Sequence, residues 1–133
     1  DLVIARAYSG AQLVGKALDW IYVEPEQVTV FRPEYAAEQY ATFIAGGTML
    51  ISRADLDAVG GWRPVPRSID RGLIDRVHAA GGLVYRTHGL GYLYVRRGEG
   101  HTAQARDAHF LTKVAQQWPG LIAHDAFGTG ARR

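Results

Sequence analysis

The chain has no cysteine, which excludes disulfides and thiolate metal centres. No apolar run approaches the ~20 residues that span a bilayer, and no signal-peptide pattern occurs. Charge of one sign is also scarce: 15 Lys and Arg against 13 Asp and Glu leave a net +2. So slight an excess suits phosphate groups on a small ligand and gives no argument for a nucleic-acid partner. The basic residues are scattered, apart from Arg96-Arg97 and Arg132-Arg133. There is no Walker loop, and Gly89-Leu90-Gly91 lacks the third glycine and following helix of a dinucleotide fingerprint. His78, His88, His101, His109 and His124 lack the i, i+3 or i, i+4 pairing of a zinc helix. No low-complexity segment or internal repeat is present.

At 133 residues and 47% hydrophobic, the chain can bury a core of its own without staples. Leu2 to Ala5 reads as a short buried strand. Leu13, Val14, Ala17, Leu18 and Ile21 recur at helical spacing, which predicts a helix over 11–22 with Lys16 and Asp19 outward and Pro25 as its stop. Val28 to Phe31 is β-rich and ends before Pro33, as an edge strand would. A helical turn is expected between Pro33 and Tyr40. Between Phe43 and Ile51, two apolar runs are broken by Gly46-Gly47, a pair that suits a bulge or the close approach of a backbone or ligand.

Ala54 to Val59 forms a short helix with Leu56 inward, stopped by Gly60-Gly61. Asp55-Leu56-Asp57 imitates an acidic metal-binding pair, but a buried Leu56 would point both carboxylates away from a shared ligand. Trp62 and the stiff Arg63-Pro64-Val65-Pro66-Arg67 loop follow. Strands are expected at Leu83 to Arg86 and Tyr92 to Arg96, with a turn at His88 to Gly91. Thr102 is placed to cap a last helix with Ala108, Leu111, Val114, Ala115 and Trp118 on one face, ended by Pro119-Gly120. Residues 128–133 form a frayed tail. The fold class is α/β, a mixed β-sheet with flanking helices.

The segment Ser68 to Gly82 organises the rest. Ile69, Leu73, Val77 and Ala80 form an apolar stripe, Ser68 is a candidate N-cap, and Gly81 is a left-handed stop. Asp70 falls in the first turn, where unsatisfied N–H groups and the helix dipole favour a charged carboxylate. Such a group either neutralises the helix end or takes a proton from a hydroxyl. His78 falls on the polar side as a solvated histidine. His101, in a glycine-flanked loop after Arg96-Arg97, is placed to reach a phosphate or its cation.

The ordered set Gly46-Gly47-Thr48, Arg53, Val59-Gly60-Gly61-Trp62, Asp70, Arg76, Ala80-Gly81-Gly82, Arg96-Arg97 and His101-Thr102 resembles the acceptor-side half of family-2 glycosyltransferases, closest to a bacterial subgroup. The resemblance runs from about Val14 to about Leu111. It implies residues 1–127 as a partial glycosyltransferase-A domain whose nucleotide-binding half precedes Asp1, so that the chain alone binds nucleotide-sugar poorly. It implies Asp70 as general base, taking the proton from an acceptor hydroxyl that attacks the anomeric carbon with inversion. Gly46 and Gly47 would admit the donor sugar, and Trp62 would border the acceptor, a core role suiting it equally. Arg67, Arg96 and Arg97 would be substrate-binding, the last two through phosphate, and His101 would touch a divalent metal (Mn or Mg) or diphosphate. The implied partners are a nucleotide-sugar donor and a glycan or other hydroxyl acceptor, with no nucleic acid. Membrane association would come through other regions, at a cytoplasmic location on the inner face of the membrane, for polysaccharide or cell-envelope synthesis. Ile69 departs from the pattern, standing where the family carries a second acid. That departure keeps open a non-catalytic carbohydrate- or partner-binding module derived from such an enzyme.

Overall fold

The computed structural model describes residues 1–99 and 106–122, which fall into two units. Both are α/β: each holds a four-stranded mixed sheet with helix beside it. Among the described residues, no helix is long and apolar enough to cross a membrane.

The first unit comprises residues 1–17 and 37–88. Its strands are β1 (Leu13–Lys16), β4 (Gln39–Tyr40), β5 (Leu50–Ile51) and β6 (Val84–Thr87), in the order β4-β6-β1-β5. β1 and β6 run parallel with Leu13 beside Val84, while β4 and β5 are antiparallel edges. Helices α1 (Leu2–Ser9), α2 (Arg53–Ala58) and α3 (Ile69–Ala79) complete the unit. Leu13, Ile44, Leu73, Ile74, Val77 and Val84 form one core cluster, and Ala5, Ala11, Val14 and Tyr85 a second.

The expectations for the first 22 residues fail. Leu2 to Ala5 is helix rather than strand: Leu2 and Ala5, one turn apart, face the second cluster, while Val3 and Ile4 are exposed. The helix stops at Gly10, whose φ of 67° is open to glycine without strain. The expected helix over 11–22 is instead β1 and the next strand of the chain, with Lys16 buried. Every residue of β1 is buried, so apolar groups occupy both faces and the period-2 signal disappears. Gly15 makes this packing feasible: a Cβ there would lie 2.6 Å from Ile44 Cδ1.

α2 and α3 form as expected. The Ser52 hydroxyl caps α2 by accepting from the Asp55 N–H. The inward face of α3 is Leu73, Ile74 and Val77, whereas Ile69 and Ala80 at the ends of the expected stripe are exposed. Ser68 occupies the N-cap position in a left-handed conformation, φ 56°, and its hydroxyl makes no capping bond. Gly81 is the left-handed stop, φ 77°. No helical turn forms between 33 and 40; the chain bends at Tyr35 and again at Ala37 and Glu38 before β4.

The second unit comprises residues 18–36 and 89 onward. β2 (Trp20–Val23), β3 (Val28–Phe31), β7 (Tyr94–Arg96) and β8 (Gln116–Pro119) are ordered β7-β2-β3-β8, with β2 and β7 parallel. Pro25 sits in the tight turn that joins β2 to β3, closed by the Gln27 N–H to the Glu24 carbonyl at 3.0 Å. β3 is an interior strand, not an edge, because β8 pairs on its outer side. The expected last helix reduces to α4 (Asp107–Phe110) followed by β8. Lys113, at φ 55°, breaks the helical path, and Trp118 goes to a stack on Trp20 at 5.6 Å. Ile21, Val23, Val30 and Phe110 form this unit's core. β6 and β7 lie in different sheets, so the turn after His88 joins no hairpin. Thr102 and the tail at 128–133 lie outside the described residues.

Candidate functional site

In a sheet with parallel strands, ligand-facing groups gather where the strands end, because the loops leaving those ends are free to diverge. In the first unit those ends are Lys16 on β1 and Thr87 on β6. The glycine segment is tied to the end of β1 from both sides. The Ala45 N–H donates to the Lys16 carbonyl at 2.9 Å, and the Lys16 N–H donates to Thr48 Oγ1 at 2.8 Å. Thr48 Oγ1 in turn donates to the Ala45 carbonyl at 2.7 Å, closing a 3-10 turn over Gly46–Thr48.

α3 delivers Asp70 to that turn. A Cβ on Gly46 would lie 3.0 Å from both Cβ and Cγ of Asp70, and closer still to its Oδ2. Asp70 is half-buried in the first turn of α3, while Gly46 and Gly47 are exposed. A partly solvated carboxylate in that position can accept a proton from a hydroxyl arriving over the glycines.

Arg76 fixes the approach. Its guanidinium donates to the Val59 carbonyl at 3.0 Å, the Gly61 carbonyl at 2.7 Å and the Gly72 carbonyl at 3.0 Å. It therefore clasps the end of α2 to α3 and sets the base of the loop that carries Trp62 and Arg67, both exposed.

No protein-family model, curated protein or solved structure matches this chain.

The other expected site residues are placed differently. Arg96 is buried in the second unit, paired with Asp107 at 2.8 Å and lying 5.4 Å above the Phe110 ring. It is spent on α4 and not offered to a phosphate; burial beside a carboxylate favours that pairing. Arg97 is exposed on the same unit. His101 lies outside the described residues. Among the described residues no three His, Asp or Glu side chains converge as metal ligands. Asp55 is occupied by Arg6 at 2.6 Å and by the Ser52 hydroxyl, and Asp57 is exposed. His78 is exposed on α3, as expected.

Glu38 was missed by sequence reasoning. Its carboxylate accepts from Thr87 Oγ1 and Tyr8 Oη at 2.6 Å each, and from the His88 N–H and Tyr85 Oη at 3.1 Å each. Those bonds, the Thr87 hydroxyl foremost, hold its carboxyl down at about 2, against the partial burial that opposes them. The Glu38 bond raises the Tyr8 hydroxyl well above its usual range. Burial lowers the Lys16 ammonium, with Glu38 countering. Glu38 itself is left-handed, φ 54°, a conformation that four bonds can hold for a non-glycine residue. No local motif marks this cluster, because its donors lie 30 to 50 residues away in the chain.

Proposed function

We propose that this chain supplies the acceptor side of an inverting glycosyltransferase, with Asp70 as general base. The observation that carries the reading is the Asp70 carboxylate resting on the Gly46 turn, half-open at the start of α3. The motif order from Gly46-Gly47 through Asp70 to Ala80-Gly81-Gly82 supports it.

In this reading the Gly46-Gly47 turn meets the donor sugar, with Gly46 also making room for the Asp70 carboxylate. Asp70 accepts the proton of the acceptor hydroxyl as that oxygen bonds to the anomeric carbon from the face opposite the leaving group. The bond from the anomeric carbon to the diphosphate oxygen breaks, and the nucleoside diphosphate leaves with the electron pair. A divalent metal, when bound with the donor, would stabilise the departing charge. Trp62 and Arg67 flank the acceptor path. The donor-binding half, the metal and a location at the inner face of a membrane all belong to the proposal.

A second reading, a carbohydrate-binding module without chemistry, draws on Ile69, which is 43% exposed where a second acid would stand. One experiment separates the two. In the polypeptide that joins this chain to a donor-binding half, Asp70→Asn should lower transfer about 10²–10⁴-fold while donor affinity stays within about twofold. Transfer at the wild-type rate would remove Asp70 from the mechanism. Glycan binding by the joined polypeptide without any transfer would favour the module.

A further inference from the structure

The stretch from Gly60 to Ile69 contains no acidic residue, and its large apolar side chains, Trp62, Val65 and Ile69, are exposed. Trp62 is 52% exposed, Val65 41% and Ile69 43%, an unusual concentration for eight consecutive positions. Arg63 and Arg67 lie between them, also exposed, and neither is paired with a carboxylate among the described residues. The loop is not a loose end. Arg76 holds Gly61 at one side, α3 begins at the other, and Pro64 and Pro66 stiffen the span between them. Interleaved tryptophan, aliphatic and arginine side chains on a rigid exposed loop match the chemistry of a membrane–water interface. There an indole and aliphatic groups enter the headgroup boundary while guanidinium groups meet lipid phosphates.

We propose that the Trp62–Ile69 surface docks on an anionic lipid bilayer, so that an acceptor hydroxyl carried by a lipid at that surface reaches the adjacent Asp70. The docking stands on the surface alone; the acceptor class rests on the glycosyltransferase reading above. Charge complementarity selects a bilayer over an apolar protein groove, because the stretch carries two exposed guanidinium groups and no carboxylate.

The test is co-sedimentation of the 133-residue chain with vesicles of pure phosphatidylcholine and of an equal phosphatidylcholine–phosphatidylglycerol mixture. The chain should pellet with the anionic vesicles, less so as salt is raised, and should bind the neutral ones more weakly. The double variant Arg63→Ala, Arg67→Ala should weaken anionic-vesicle binding by about tenfold or more. Lys113→Ala, at an exposed cation of the other unit, should leave binding within about twofold. Tryptophan quenching by brominated lipid supplies a readout on the wild-type chain. It should be present, and lost in Trp62→Phe, since Trp20 and Trp118 stack on each other. Three results would overturn the docking: no binding to anionic vesicles, binding unaffected by the arginine pair, or quenching unchanged in Trp62→Phe. Vesicle binding together with wild-type transfer by Asp70→Asn would remove Asp70 as the base and keep the docking. The opposite pair of results would do the reverse.

Discussion

Gly46 presents its bare Cα to the carboxylate of Asp70, leaving no room for a side chain on the glycine. Two segments more than twenty residues apart in sequence are thereby brought into contact, one tied to the end of β1 and the other opening α3. The tightness of that contact makes it testable in several ways.

Gly46→Ala should push the Asp70 side chain aside. Because that side chain can rotate, the expected loss of stability is only about 1 kcal/mol, read from urea unfolding. The Asp70 carboxyl resonance should move, and transfer by the joined enzyme should fall about 10²-fold. An unchanged Asp70 resonance in the variant would show that the contact does not position the carboxylate.

Gly15→Ala has less freedom to relax. The new Cβ would lie 2.8 Å from Ile44 Cβ, and Ile44 is fully buried. A loss of about 1–3 kcal/mol is expected from overpacking. Adding Ile44→Val removes the Cδ1 atom that would stand 2.6 Å from the new methyl group, so the double variant should be more stable than the sum of the singles predicts. Strict additivity in denaturant melts would count against this packing.

Glu38 should make stability acid-sensitive. Its carboxyl is held near 2 in the folded chain against 4.5 as the ordinary value. A depressed folded value means that its stabilisation is complete above about 4.5 and is lost as pH falls towards about 2. Glu38→Gln should flatten the dependence of the urea midpoint on pH across that window. An identical slope in the variant would assign the acid sensitivity elsewhere.

Asp107→Asn leaves the buried Arg96 guanidinium without its charged partner. Asp107 is itself partly exposed, so a moderate loss of about 2 kcal/mol is expected, below that of a fully buried pair. Added salt should not restore it. A variant as stable as the wild type in thermal melts would show that Arg96 does not depend on Asp107.

The short-range parts of this fold were readable from the residues. α2 announces itself through Leu56 and the Gly60-Gly61 stop, and α3 through its apolar spacing and Gly81, since turn glycines act over a few residues. Asp70 was legible for the same reason: its position in a first turn is local. β3 and β6 were found because β-rich runs end at turn residues.

The long-range parts were decided only by tertiary structure. β1 looked helical because both its faces are covered, which erases the alternation that a half-buried strand displays. α1 looked like a strand because three apolar residues in a row suit either period, and only contacts with Ala11, Val14 and Tyr85 choose between them. Arg96 carries a phosphate-binding side chain, yet Asp107 and Phe110 claim it once the chain folds back. Glu38 gathers its donors from Tyr8, Tyr85, Thr87 and His88. Sequence alone determined where α2 and α3 stop, because those forces are exhausted within one turn of chain; which side chains share a core or a proton depends on segments meeting from far apart, and no local pattern encodes that meeting.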